Sequence, residues 1–203
     1  MTRIVAGRWK GRILRTPSGT TTRPTGEKIR AALGNALQAT GALEGASVLD
    51  LYAGTGALGL ELLSRGAAEL VAVENDRKAL EVLRGNVYGL VNSADRAGGA
   101  RSTGSQPDAD AVKRADVIVG DARAALGRLA GRRFDVVVAD PPYDLPTADL
   151  NGVLAGLTGL LTGGADVIVE RSVRSGEPHW PAPLQQVRTS RYGDTLLCYG
   201  RAP

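Results

Sequence analysis

Between residues 46 and 171 the chain alternates two kinds of hydrophobic pattern. The runs 46–52 (ASVLDLY), 69–75 (ELVAVEN), 115–121 (ADVIVGD), 134–140 (FDVVVAD) and 165–171 (ADVIVER) are nearly continuously apolar, as strands buried on both faces are. The segments between them, 57–66, 76–90, 122–130 and 147–161, read as helices; Asp76 is placed to cap the second, and glycines weaken the last. This βαβα rhythm predicts an α/β fold with a parallel sheet covered on both faces. The pattern then changes. Residues 184–192 and 195–200, around Gly193-Asp194, predict an antiparallel hairpin. Upstream, Ile29, Ala32, Leu33, Ala36 and Leu37 form one apolar face of a helix expected from a Thr25 cap to about Gln38. Residues 3–15 predict another hairpin, with RIVA and RILR flanking a turn broken by Gly7 and Gly11. Residues 92–114 are polar, rich in Gly and Ala and poor in large apolar side chains, and predict an extended loop. The expected organisation is a small N-terminal hairpin and loop over 1–24 and one catalytic-sized α/β domain over 25–203.

Composition narrows the setting. At 203 residues, 43% hydrophobic and 23% charged, the chain suits a globular protein with a real core. One cysteine, Cys198, and one histidine, His179, argue against a disulfide framework or a metal cluster, and Cys198 in TLLCYG reads as a buried strand residue. His179-Trp180 lies in a Pro-rich loop and is assigned no role. The charged start MTRIVAGRWKGR does not resemble a secretory signal, and no apolar run reaches a membrane span, so a cytoplasmic protein free of membranes is expected. Charge is uneven. Residues 1–30 carry eight Lys and Arg against Glu27, a net +7; the whole chain is +4, so the remainder is −3. A basic end on a slightly acidic body points to a polyanion partner.

The chemistry sits at predicted strand ends. In DLYAGTGALGLE, Gly54, Gly56 and Gly59 follow the first strand and open a helix, and Glu74 ends the second strand. This G-x-G-x-x-G arrangement suits a nucleoside-bearing ligand, with the acid on ribose hydroxyls. NAD and S-adenosylmethionine both fit that spacing. Asp50 tilts the choice: a carboxylate beside the loop opposes a pyrophosphate and accepts an ammonium and a sulfonium. Asp121 ends the third strand as an acceptor for an adenine amino group, and Asp140 ends the fourth. Ligands of open α/β sheets bind at this carboxyl edge.

DPPY, Asp140–Pro141–Pro142–Tyr143, follows the fourth strand. Two prolines remove two N–H donors, so the corner offers mainly acceptors. An acceptor-rich corner matches an exocyclic –NH2, and Tyr143 can stack on a planar base. Such a base must be unstacked to react. Asp140 can orient the amine and take its proton.

Taken in order, RIVAGRWKGRIL, TRPTGEKIRAALGNAL, DLYAGTGALGLELLSRGA, VENDRKAL, GDA, DPPY and RYGDTLLCY resemble the RsmD-type 16S ribosomal RNA guanine-N2 methyltransferases over nearly the whole chain. The glycine loop and DPPY are shared by many amino-methyltransferases; RWKGR…RPT is the family-specific block. The resemblance implies a Rossmann-like methyltransferase sheet with an RNA-contacting N-terminal hairpin, acting on small-subunit rRNA, naked or in a particle, as a monomer. It implies that Asp50, Gly54, Thr55, Gly56 and Gly59 line the methionine end of S-adenosylmethionine, Glu74 the ribose, and Asn75, Asp121 and Ala122 the adenine. Asp140 to Tyr143 would hold the guanine, and Arg8, Trp9, Lys10, Arg12 and Arg23 would face RNA. Trp9 can equally be a packing residue, and Asn86 reads as a surface helix position. The 92–114 segment is longer than the family leads one to expect. A DNA adenine-N6 methyltransferase could use the same corner; an NAD-dependent oxidoreductase and a catalytically dead RNA-binding module are weaker rivals.

Overall fold

The computed structural model describes residues 2–17, 24–92 and 114–203. Arg23 and nearly all of the 92–114 segment therefore lie outside the described residues, as does the side chain of Thr25. The ordered elements are β1 (Thr2–Arg3), β2 (Ile13–Leu14), α1 (Pro24–Ala39), β3 (Ser47–Leu51), α2 (Ala57–Ser64), β4 (Glu69–Glu74), α3 (Arg77–Val87), β5 (Arg114–Val119), α4 (Ala122–Arg128), β6 (Phe134–Ala139), α5 (Thr147–Leu157), β7 (Leu161–Ser172), β8 (Gln185–Tyr192) and β9 (Thr195–Arg201).

Seven strands form one sheet in the order β5-β4-β3-β6-β7-β9-β8. Strands β3 to β7 are mutually parallel; β9 runs antiparallel to both β7 and β8. The chain starts at β3, builds outward to β5, then returns to β6 on β3's other side. The order thus reverses at β3 and β6, and a crevice opens at their carboxyl ends, where α/β sheets bind ligands.

Alternate residues of each strand feed two cores. Val48, Val136 and Ile168 face α1, α2 and α3, packing on Ile29, Leu33, Leu60, Leu63 and Leu83. Leu49, Val137 and Val167 face α4 and α5, packing on Leu126, Leu150, Val153 and Leu157. Both sheet faces are covered, which explains the continuous apolar runs. Cys198 is buried in the second core.

Several boundaries shift for physical reasons. Helix α1 starts at Pro24, with Thr25 inside it and not before it; proline suits a first helical turn because its missing N–H needs no partner there. Helix α3, capped by Asp76 as expected, ends at Val87 and widens into a π-helical turn over Tyr88–Asn92 that buries Leu90 and Val91. Strand β7 begins at Leu161, and its pairing with β6 slips between Phe134 and Val136 to admit the extra residues.

The N-terminal hairpin is shorter than the sequence suggests because its backbone is diverted. Val5 and Ala6 donate their amides to the Glu61 carboxylate at 2.7 and 3.0 Å, so the ladder ends after two residues a side. The Arg8 amide then donates to the Ser64 carbonyl, and the Trp9 amide to Ser64 Oγ. A side chain at Gly7 would collide with the Ser64 carbonyl, and its φ of +82° also favours glycine. Ile4, Trp9 and Leu14 join the first core. Glu61 also pairs with Arg65 Nε at 2.7 Å, and Arg65 Nη1 donates to Asn35 and Gln38 of α1. Hairpin, α1 and α2 are therefore joined by one polar network, buried at Glu61, Ser64 and Arg65 and exposed at Asn35 and Gln38.

Candidate active site

The β3–α2 loop is built around its amides. Gly56, in the left-handed conformation at φ +79°, caps α2, and a Cβ there would strike Leu83. Gly59 lies against Asp50: its amide donates to Asp50 Oδ2 at 2.9 Å, and a Cβ would meet both that oxygen and Leu70. Glu74, reaching across from β4, accepts the Gly54 amide at 2.6 Å and the Asn75 and Asp76 amides at 2.7 Å each. Asn86 is not a surface residue. It is 4% exposed; its Nδ2 donates to the Thr55 and Arg15 carbonyls, and its Oδ1 accepts the Arg15 amide at 2.8 Å. One buried amide therefore fixes the loop to the strand leaving the hairpin.

Tyr52, between Asp50 and Gly54, has φ +60°. A bulky residue in the left-handed region costs about 1–3 kcal/mol, strain that persists where surrounding structure imposes it and clusters at functional sites. Nothing in the sequence signals this conformation.

Two cavities meet at Tyr52. One, of about 650 Å³, is bordered by Glu74, Asn75, Asp121, Ala122 and Pro142. The other, of about 670 Å³, is bordered by Arg30, Asp50, Gly54, Asp140, Tyr143 and Glu170. The DPPY corner thus stands at the partition, with Pro142 facing one side and Asp140 and Tyr143 the other. Of the expected carboxyl-edge residues, Asp50, Gly54, Thr55, Asp140 and Tyr143 border the larger cavity and Glu74, Asn75, Asp121, Ala122 and Pro142 the other, whereas Gly56, Gly59 and Pro141 border neither. Asp121 also caps α4, its Oδ1 accepting the Ala124 amide at 3.2 Å. Within DPPY the Pro142 carbonyl already accepts the Leu145 amide, and the Tyr143 carbonyl accepts Ser175 Oγ. Within DPPY, the acceptors left for an incoming amine are the Asp140 carboxylate and the carbonyls before Pro142.

The second cavity is strongly acidic. Burial raises the Asp50 carboxyl to about 7, against the stabilising Gly59 amide and aided by repulsion from Asp140 and Glu74. Asp140 opens onto the cleft, but the protein packed around its carboxyl withdraws it from bulk water and raises it to about 6. Burial raises Glu170 to about 8, with repulsion from Asp140 adding to the rise and Arg30 opposing it. Arg30, from α1, has its Nη2 buried with no hydrogen-bond partner among the described residues. Tyr52 is pushed up to about 12, chiefly by burial, and so stays a neutral phenol.

Arg30, Tyr52, Glu170 and the β8–β9 turn at Gly193–Asp194 are site residues that the sequence reading missed. Glu170 was within reach: it closes the apolar run of DVIVER as Asp140 closes that of FDVVVAD, two residues before β7 ends at Ser172. Arg30 was not, because only the packing of α1 brings it to the sheet edge.

Arg8, Lys10 and Arg12 are exposed on the hairpin, whose Thr2 borders the acidic cavity, and Arg12 Nη2 lies 3.5 Å from the Gly89 carbonyl. Trp9 does not face outward with them. It is 7% exposed and part of the core, so its indole is not available to a base. The exposed aromatic ring beside this hairpin is Tyr88. Among the described residues no helix is long and apolar enough to cross a membrane.

Comparison with known proteins agrees with this architecture. The family model described as conserved hypothetical protein 95 matches residues 2–201. Ribosomal RNA small subunit methyltransferase D of Escherichia coli (strain K12) is 33% identical over 180 residues, 89% of this chain and 79% of that protein. YlbH of Bacillus subtilis (strain 168) is 34% identical over 143 residues, 70% of this chain and 66% of that protein. The solved structure of yhhF from Escherichia coli superposes with a TM-score of 0.76 at 29% identity, covering 99% of this chain and 97% of that one. The chain belongs to the conserved hypothetical protein 95 family, that of the RsmD-type ribosomal RNA methyltransferases.

Proposed function

We propose that the protein transfers a methyl group from S-adenosylmethionine to the exocyclic N2 of a guanine in 16S ribosomal RNA. The observation that carries this reading is the position of Asp140: an acceptor-rich, donor-poor corner at the junction of two cavities on the carboxyl edge of the sheet. The small-subunit rRNA named in the relative's description supplies the substrate class.

The residues fit the cofactor. Glu74, Asn75, Asp121 and Ala122 border a cavity suited to an adenosine, and Tyr52 joins it to the acidic one, which Gly54 and Thr55 border. Asp50, Asp140 and Glu170 favour a cationic ligand over a pyrophosphate, and the partnerless Arg30 Nη2 offers a donor to a carboxylate. When bound, S-adenosylmethionine supplies a sulfonium methyl, whose carbon–sulfur bond breaks as the carbon–nitrogen bond to the base forms. Asp140 holds the amine through one N–H, directing its lone pair across the partition, and takes the proton released. An arylamine is a weak nucleophile, so this orientation accounts for much of the acceleration. Tyr143, 51% exposed, presents its ring to the flipped base. Arg8, Lys10 and Arg12 hold phosphates at a distance from the chemistry.

The test is methyl-labelled S-adenosylmethionine offered with unmodified 16S rRNA, small-subunit particles and unmethylated DNA, followed by digestion to nucleosides. Label in N2-methylguanosine is the expected result, and the preferred substrate distinguishes free RNA from the particle. Label in N6-methyldeoxyadenosine instead would overturn the reading. Asp140→Asn is expected to lower kcat by about 10²–10⁴ while leaving much of the cofactor affinity, to which Asp50 and Glu170 still contribute.

A further inference from the structure

Asp140 has a neighbour that orienting an amino group alone does not call for. Ala139 of β6 pairs with Val169 of β7, so Asp140 and Glu170 are the next positions on adjacent parallel strands, which lie about 4.8 Å apart. Ala139 and Val169 both belong to the core on the α4–α5 face. By alternation Asp140 and Glu170 turn to the other face, where both border the same cavity as Tyr143. Burial and repulsion from Asp140 hold the Glu170 carboxyl up at about 8, so it ionises fully only above that pH; the Arg30 guanidinium, from α1, opposes the rise. A cationic ligand in the cavity would act in the same direction.

Two adjacent acceptors suit one base edge better than others. On guanine, the N2 amino group is flanked by N1–H, a second donor. On adenine, the N6 amino group is flanked by an N1 lone pair. With an amino group on Asp140, a carboxylate at Glu170 meets a donor in guanine and an acceptor in adenine. The first arrangement adds a charge-assisted hydrogen bond. The second sets two acceptors against each other, the repulsive element that specificity needs.

We propose that Glu170 is the specificity-determining residue of this site, reading guanine N1–H beside the N2 amino group held by Asp140. This rests on the guanine-N2 reading above and adds the group that selects the base.

The discriminating probe is 2-aminopurine, which keeps the 2-amino group but presents an N1 lone pair and lacks O6. RNA carrying either guanine or 2-aminopurine at the methylated position would be compared using wild type and Glu170→Gln. Initial rates of methyl transfer would be one readout, and equilibrium binding of the RNA without cofactor the other, both taken above about pH 8, where Glu170 is ionised. Wild type should prefer guanine by on the order of tenfold or more in both. In Glu170→Gln the amide can donate to N1, so the preference should collapse, with 2-aminopurine improving in absolute terms. An unchanged guanine-to-2-aminopurine ratio, or equal loss on both bases, would overturn the assignment. A wild type that places no label in N2-methylguanosine would instead remove the guanine reading itself. Because the wild-type comparison varies only the base, it stands even if the variant folds poorly; no guanine preference there also overturns the proposal.

Discussion

Asp50 illustrates how much one side chain can be asked to do. It is 1% exposed, anchors Gly59, and borders the acidic cavity. Its carboxyl is raised from 3.8 to about 7, so the folded protein binds this proton more tightly than the unfolded chain does. Stability from this group is complete below the unfolded value and is lost as pH rises through about 7. The full effect is about 4 kcal/mol as an upper figure, at 1.36 kcal/mol per unit. Thermal unfolding of the ligand-free protein should therefore show stability falling between about pH 4 and 7, and Asp50→Asn should flatten that slope. The same ionisation prepares the cavity for a cation. Binding of S-adenosylmethionine, followed by calorimetry, should tighten across the same interval in the wild type and lose that dependence in the variant.

At the scale of elements, the Glu61–Arg65 pair decides how the hairpin is held. Glu61 satisfies two hairpin amides and Arg65, while Arg65 reaches Asn35 and Gln38. Removing one partner leaves the other charge buried without compensation, which typically costs about 3–5 kcal/mol. Glu61→Ala should lower stability by that order in denaturant titrations. It should also release the hairpin, giving new protease cuts within residues 2–17. Asn86 is the second tie. Asn86→Ala would leave Arg15 and Thr55 groups unsatisfied, at about 1–3 kcal/mol. Because it anchors the glycine loop, it should weaken cofactor binding as well as stability, which surface helix substitutions would not do.

For the whole molecule, the separation of charge is the organising fact. The basic hairpin lies on one flank and the acidic cavity at the sheet's carboxyl edge. On the proposed function a polyanion would be drawn to the first and kept off the second, so that only an unstacked base would enter the acidic cleft. Replacing Arg8, Lys10 and Arg12 together with Ala should weaken RNA binding and reduce the slope of log affinity against log salt by about one for each phosphate no longer neutralised. A slope equal to that of the wild type would refute the hairpin's role. The rate at saturating RNA should change little, because these residues lie outside the cavities.

The alternation of apolar and amphipathic runs was enough to determine the α/β sheet, because strands buried on both faces and helices buried on one leave different periodicities. The acids at the strand ends were legible for the same reason: a polar residue closing an apolar run marks the edge. The sequence could not show what depends on contact between distant segments. Trp9 reads equally as a basic-patch aromatic or a packing residue until the docking of the hairpin on α2 buries it. Asn86 reads as surface until its amide meets the glycine loop, 31 residues away. Arg30 and Glu170 belong to different elements, and only the packing of α1 over the β6–β7 edge brings them together. Local pattern records how each segment is buried; only the tertiary structure decides which buried polar groups become partners, and that pairing makes the site.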